Sequence, residues 1–221
     1  MVIIVGFKLL STTILPNTAS TNIKKKAIWA SGLDNKKLER NIKKFEEVNE
    51  KYNIFTKDLL DFLGQGYFLS PASPMKDMNN AFPGGLLDHT IKVAKYAVYL
   101  NKAIPESMQE TMESILKVSF LSEIGKTFLF TPCKSEWHMT NLGKYFEYNE
   151  ELVSMRVGER SAHYALSNGV KLTEDEYQAI LNHDKSDDDK QVRWYTTKLG
   201  QLLKQATDLA ILEEKEMNNG K

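Results

Sequence analysis

The sequence predicts a mostly α-helical domain, and three observations support this fold class. After residue 34, apolar residues recur at three- and four-residue spacing, the period of a buried helix face. Residues that cap helices precede several of these segments, and Gly and Pro separate them. Few alternating patterns typical of strands appear after residue 30. Because 221 residues fit one domain with an extension, we expect an N-terminal extension over residues 1–33 and a helical domain over residues 34–221.

The first half of this domain is predicted to hold three helices and one long loop. Asp34 is suited to cap a first helix, whose apolar residues are Leu38, Ile42, Phe45, Val48 and Tyr52. A short helix over about residues 57–63 should end at Gly64. Residues 64–85 hold four Gly and three Pro and should form the loop. The segment 86–103 is apolar on two faces, which indicates a buried helix.

The second half is predicted to be helical as well. Thr173 and Glu176 have the spacing of a capping box, so another helix should begin there. A polar loop is expected over residues 185–190. The remaining helices are expected over about residues 112–120, 157–167 and 196–214.

Composition and charge exclude some classes of function. The chain has 29 Lys and Arg against 29 Asp and Glu, so no overall field favours nucleic acid or a membrane surface. Residues 1–60 carry 11 basic against 6 acidic residues, and the rest carries 18 against 23. The apolar start, residues 1–7, is too short to span a bilayer. The single cysteine, Cys133, cannot form an internal disulfide, which favours a reducing, cytoplasmic setting.

Four motifs follow one another along the chain and carry residues suited to holding a metal ion. They are Gly84-Gly85-Leu86-Leu87-Asp88-His89-Thr90, Leu121-Ser122-Glu123-Ile124-Gly125-Lys126, Asn182-His183-Asp184 and Thr207-Asp208-Leu209-Ala210. Together they resemble the HD superfamily of metal-dependent phosphohydrolases over about residues 65–215. Other segments resemble small HD-like proteins encoded by bacteriophages: Trp137-His138, Gly143-Lys144 and Gly158-Glu159-Arg160-Ser161. The resemblance implies an HD-like helical bundle with an irregular or extended N-terminal arm.

The resemblance also implies roles for individual residues. The metal ligands would be His89, Glu123, His183 and Asp208, and the substrate phosphate would be held by Lys126 and Arg160. Glu123 and Lys126 would be the candidate catalytic residues. The cofactor would be a divalent ion such as Mn²⁺, Co²⁺ or Mg²⁺. Such an ion polarises a phosphoryl oxygen and lowers the pKa of a bound water.

The chain departs from the family at the His-Asp doublet, where it has Ser122 and Glu123. A neutral hydroxyl is a poor ligand, and the Glu carboxylate sits one methylene further from the backbone. Displacements of about 1 Å can cost on the order of 10²-fold in rate. We therefore expect a degenerate HD-fold protein with little or no hydrolase activity that acts in binding or assembly. The alternatives are a single-metal nucleotide phosphohydrolase and a purely structural subunit.

Each candidate residue also has a simpler interpretation. Glu123 can form a salt bridge with Lys126 or Arg160, since a buried carboxylate needs a partner. His183 can complement the dipole at the end of a helix, and Asp208 can form a structural hydrogen bond. As partners we expect another protein or a second copy, contacted through residues 1–33, and a nucleotide is a further candidate ligand. The bacteriophage resemblance implies a bacterial host cell or a virion as the location.

Overall fold

A computed structural model describes residues 34–184 and 197–219, and it confirms a mostly helical fold. Eight α-helices lie in this part of the chain: α1 (Asn35–Tyr52), α2 (Lys57–Leu69), α3 (Gly85–Ala103), α4 (Met112–Leu121), α5 (Glu136–Leu142), α6 (Val157–Ser167), α7 (Glu174–Asn182) and α8 (Lys198–Asn219). Residues 106–108 and 124–126 form short 3₁₀ turns. The expected extension over residues 1–33 and the expected loop over residues 185–190 lie outside the described residues.

Side-chain caps begin several of these helices, as the sequence predicts. The Asp34 carboxylate accepts a hydrogen bond from the Lys37 backbone N at 3.0 Å and so caps α1. At α7, the Thr173 hydroxyl accepts from the Glu176 backbone N at 3.2 Å. The Glu176 carboxylate accepts from the Thr173 backbone N at 3.0 Å. The predicted capping box is therefore confirmed.

The predicted interruption of the helix at Gly64 is confirmed, but helical residues resume beyond it and reach Leu69. Gly64 leaves helical geometry with φ 53° and ψ −145°, and the helix resumes beyond it. Leu63 and Tyr67 on either side of the kink are both buried. The predicted loop over residues 64–85 is therefore too long, because a second helical segment that buries Tyr67 follows Gly64, and the loop before α3 shortens to residues 70–84.

Helix α3 lies at the centre of the fold and packs against α1, α2, α4 and α8. Helix α7 packs on α6 and α8, and the turn at residues 124–126 packs on α6. The connection between α4 and α6 contains two short strands that pair antiparallel, β1 (Phe130–Pro132) and β2 (Phe146–Tyr148). Three residues are too few for an alternating pattern to be visible in the sequence. Within the part of the chain that is described, no helix is long and apolar enough to cross a membrane.

Candidate functional site

Glu123 lies at the centre of a buried cluster of ionisable side chains. It follows the end of α4 and is only 3% exposed. Its Oε2 atom lies 2.5 Å from Nζ of Lys126, and its Oε1 atom lies 3.1 Å from Nε2 of His183. The contact to Lys126 is an ion pair rather than a well-aligned hydrogen bond, since Oε2 has no hydrogen-bond partner among the described residues. The structure thus contains the salt bridge to Lys126 that the sequence offers as the simpler interpretation.

The two cationic partners decide the ionisation of Glu123. Burial alone would raise the pKa of this carboxyl, because it disfavours the charged form. The charge of Lys126 and the hydrogen bond and charge of His183 act in the opposite direction and are together stronger. They hold the pKa of Glu123 well below its usual range. The carboxylate is therefore ionised at neutral pH.

His183 carries a proton on each ring nitrogen in this arrangement. Its Nδ1 atom lies 2.7 Å from the carbonyl oxygen of Ile180, and its Nε2 atom faces the Glu123 carboxylate. Both neighbours only accept hydrogen bonds, so both nitrogens must donate. Burial lowers the pKa of His183. The hydrogen bond to Glu123 and the charge of that carboxylate raise this pKa by a larger amount, so the net shift is upward.

The turn that carries Glu123 and Lys126 is held against α6 by Gly125 and Ser161. The backbone N of Gly125 donates to the Ser161 hydroxyl at 2.8 Å, and that hydroxyl donates to the carbonyl oxygen of Ser122 at 2.6 Å. A Cβ atom at position 125 would lie 2.6 Å from the carbonyl oxygen of Val157. Only Gly allows this close approach. The Gly of the motif therefore positions the ion cluster.

His89 is fully buried on α3 and its orientation is fixed by Glu214 of α8. The His89 Nδ1 atom lies 2.9 Å from Oε2 of Glu214. Because a carboxylate accepts, Nδ1 carries the hydrogen and Nε2 presents a lone pair. The side-chain N of Asn79 also approaches Nδ1, but at 3.5 Å this contact is too long to reverse the tautomer. The His89 Nε2 atom has no hydrogen-bond partner within residues 34–184 and 197–219.

A network of polar side chains surrounds this histidine. The Asn80 Nδ2 atom lies 2.8 Å from Oε1 of Glu214 and 3.0 Å from Oδ2 of Asp88. Lys92 lies 3.3 Å from Glu214, and Lys37 lies 2.9 Å from Asp88. Burial raises the pKa of Asp88. The hydrogen bond and charge of Lys37 and the charge of Lys92 lower this pKa by a larger amount, so the net shift is downward. The network joins α1, α3, α8 and the loop before α3.

Glu214 is not among the site residues predicted from the sequence, although the sequence holds a signal for it. Leu203, Thr207, Ala210 and Glu214 follow one another at spacings of four, three and four residues, and all four are buried on α8. This spacing defines one helix face. Glu214 continues this largely apolar face, and its position there indicates from the sequence that its carboxylate is buried. Asp208 lies one residue away from that face, about 100° around the helix.

Two of the predicted site residues lie apart from the Glu123 cluster. Asp208 is exposed and pairs with Lys204 at 3.1 Å on the same helix. Arg160 is buried on α6 and donates from Nη2 to the carbonyl oxygen of Val153. Nowhere in the described chain does Arg160 form an ion pair with Glu123. The structure thus brings together Glu123, Lys126 and His183, whereas His89 pairs with Glu214.

Comparison with known protein families, with curated proteins and with solved structures finds no match to this chain. The HD resemblance therefore stays a prediction that rests on the four motifs.

The donor atoms as arranged do not fit a divalent ion. Glu123 and His183 are engaged with each other, and Lys126 places a positive charge on the remaining carboxylate oxygen. The Ser122 hydroxyl points to the carbonyl oxygen of Ser119 at 3.4 Å. Across the described ranges, no three His, Cys, Asp or Glu side chains form a group that could hold a metal. Among the buried histidine nitrogens that the structure describes, the Nε2 atom of His89 has no hydrogen-bond partner and presents a free lone pair of the kind that a metal ion needs.

The ion pair between His183 and Glu123 predicts a pH dependence of stability. A raised pKa in the folded state means that the stabilisation by His183 is complete below the unfolded value of about 6.5 and is lost as pH rises through the folded value. We expect His183→Gln to lower the melting temperature at about pH 6 and to change it less at about pH 9. Circular dichroism melts across this range measure the effect.

His163 provides a matched control for this experiment. It is exposed on α6 and contacts only the Ser167 hydroxyl, at 3.3 Å, among the described side-chain hydrogen-bond partners. The melting temperature of His163→Gln should depend on pH in the same way as that of the wild type. Equal profiles for the wild type and His183→Gln would contradict the pairing with Glu123.

Proposed function

We propose that this chain is a non-hydrolytic HD-like protein whose helical domain serves in binding or assembly. One observation carries the proposal. Glu123, the carboxylate at the position of the family's metal-binding Asp, is neutralised inside the protein by Lys126 and hydrogen-bonded to His183. A carboxylate engaged in this way is not available as a ligand.

The chemistry of the family explains why this matters. Metal-assisted hydrolysis needs an ion with an open coordination position for water or substrate. The protein must hold such an ion with side chains whose other contacts orient them toward it. Here the ammonium group of Lys126 lies against the carboxylate instead. Asp208, expected as a further ligand, is exposed and paired with Lys204. Both features favour the loss of hydrolysis.

The binding or assembly role follows from the sequence. Residues 1–60 carry the excess of basic residues, and residues 1–33 are long enough to reach a neighbouring molecule. In this proposal, the N-terminal extension contacts an acidic protein partner or a second copy of the chain. This contact would form in a bacterial host cell or in a virion.

Purified protein tests the proposal in two measurements. Release of phosphate from nucleotides and from a generic phosphomonoester, with Mn²⁺ or Co²⁺ added, should not exceed the rate without protein. Light scattering should give a multiple of the chain mass for the full chain and the mass of a single chain for a protein lacking residues 1–33. Metal-dependent turnover would contradict the loss of hydrolysis, and a monomer in both cases would contradict self-association through the extension.

A second candidate function is a single-metal nucleotide phosphohydrolase, and the free lone pair on His89 favours it. That nitrogen is buried and is oriented by Glu214. If this function holds, turnover should be present in the wild type and lost in His89→Gln. Asp208→Asn should leave it unchanged, because Asp208 is exposed.

A further inference from the structure

We infer that an apolar groove between α6 and α7 is the docking site for residues 2–10 of a second copy of this chain, and that two copies exchange these segments reciprocally. This inference rests on the proposed function, because it names the surface that receives the extension in self-association. The groove shares no residue with the ion cluster of Glu123, Lys126 and His183.

The groove lies between the end of α6 and the outer face of α7. Its volume is about 480 Å³, and its apolar lining side chains are Leu166, Leu172, Tyr177 and Leu181. Leu166 is 48% exposed and Tyr177 is 40% exposed, so the walls of the groove face solvent. Binding clefts in proteins commonly have volumes of about 300–1,000 Å³. An apolar groove of this size at the surface is therefore suited to receive several apolar side chains.

The charge at the groove favours a cationic occupant. Glu174 is the charged residue among the described lining side chains, and Asp175 follows it in the first turn of α7. The next carboxylate, Glu176, is buried and pairs with Lys117 at 3.1 Å, whereas Glu174 and Asp175 are exposed and form no ion pair within the described ranges. A nucleotide would bring its phosphates against these two carboxylates. The groove therefore suits an apolar segment with a positive charge.

Residues 2–10 have the composition that this groove requires. Seven of these nine residues are Val, Ile, Leu or Phe, and the one charged residue is Lys8. The whole of residues 1–33 contains four Lys and no Asp or Glu. Apolar side chains in such number favour a surface that removes them from water. When the groove receives them, Lys8 can pair with the carboxylates of Glu174 and Asp175.

The position of α1 favours a second copy over the same chain. The Thr56 hydroxyl, just before α2, donates to the carbonyl oxygen of Asn168 at 2.6 Å, close to Leu166 of the groove. The end of α1 is therefore on the side of the groove, and its start lies about 27 Å away, the length of an 18-residue helix. To reach its own groove the extension would have to run back along α1, whereas residues 11–33 can span roughly 75 Å to another molecule. Reciprocal exchange fills both grooves and closes a dimer.

Leu166→Lys tests the groove in the full chain by light scattering. The exposed position of Leu166 allows the substitution without a change in the core, and a cation near the end of α6 complements the helix dipole. We expect twice the mass of one chain for the wild type, and the mass of one chain for Leu166→Lys at the same concentration. Leu212→Lys is the matched control, because Leu212 is 56% exposed on α8, and it should keep twice the mass.

Two further experiments separate docking from a general loss of stability. Tyr177→Lys, on the other wall of the groove, should act as Leu166→Lys does, so the result does not depend on the folding of one variant. Lys8→Glu should raise the Kd of the dimer about five-fold or more, the effect of losing an exposed ion pair. Glu174→Lys in the same chain as Lys8→Glu should restore the wild-type Kd, because the two charges are again opposite.

The alternative occupants give different results, and each overturns the inference. If the dimer survives both Leu166→Lys and Tyr177→Lys, the extension docks elsewhere and the proposed self-association still stands. A wild type with the mass of one chain contradicts docking on a second copy and self-association together. Hydrogen exchange then identifies docking on the same chain, as protection of residues 2–10 in the monomer that is lost in Leu166→Lys. None of these results depends on phosphate release, so the loss of hydrolysis is tested separately.

Discussion

Gly85→Ala is expected to lower the free energy of unfolding by at least about 3 kcal/mol, the upper part of the range for overpacked positions. A Cβ atom at position 85 would lie 2.1 Å from the carbonyl oxygen of Asn80 and 3.0 Å from its carbonyl carbon. These are backbone atoms, so no side-chain rotation relieves the contact. Asn80 already has a positive φ of 45°, and its side chain binds both Asp88 and Glu214. The added methyl group therefore displaces the residue that holds the polar network together.

Urea unfolding followed by circular dichroism measures this effect, and Gly200→Ala is the matched control. Gly200 also lies near the start of a helix, but a Cβ atom there would meet only the Thr197 hydroxyl at 3.3 Å and Ala179 at 3.6 Å. The helix preference of Ala over Gly, about 1 kcal/mol, should offset this tighter contact. If the two variants lose similar stability, the close approach at Asn80 is not the cause.

The sequence predicts the helices of this fold well because their information is local. Caps such as Asp34 and Thr173 act on backbone groups three residues away, and they appear in the structure as expected. Gly64 interrupts the helix as predicted, but the short helical segment beyond it has a nonlocal cause. Tyr67 in that segment is buried against the rest of the core, which the local sequence does not indicate.

The candidate site is predictable only in part, for the same reason. The contact between Glu123 and Lys126 spans three residues, and it is one of the alternatives that the sequence offers. The contact between Glu123 and His183 spans 60 residues, and its geometry depends on how α7 packs. The motifs place both residues in one site, but they do not indicate that the two side chains bind each other. The pairing of Glu123 with His183 is therefore learned only from the structure.

Glu214→Ala is expected to lower the free energy of unfolding by about 3–5 kcal/mol, the range for breaking a buried ion pair by removing one partner. Glu214 has no exposed side-chain surface, and it contacts Asn80, His89 and Lys92. Its truncation removes the carboxylate that accepts the hydrogen bond from Nδ1 of His89. It also removes one of the two carboxylates that pair with Lys92. A cavity at the contact between α3 and α8 adds to the cost. Chemical unfolding measures the loss. Glu213→Gln is the neighbouring control, because Glu213 is 29% exposed and should cost no more than about 1 kcal/mol.

Glu214→Gln separates the effect of shape from the effect of charge, because it fills the same space without the carboxylate. The Gln oxygen should take the hydrogen bond from Asn80, so the Gln amide N–H must face Nδ1 of His89. That nitrogen then accepts, and the hydrogen moves to Nε2. Nitrogen-15 NMR of the imidazole ring distinguishes the two tautomers: the wild type should carry the hydrogen on Nδ1 and this variant on Nε2. An unchanged tautomer in Glu214→Gln would mean that another group orients His89. The free lone pair at Nε2 would then not depend on Glu214 of α8.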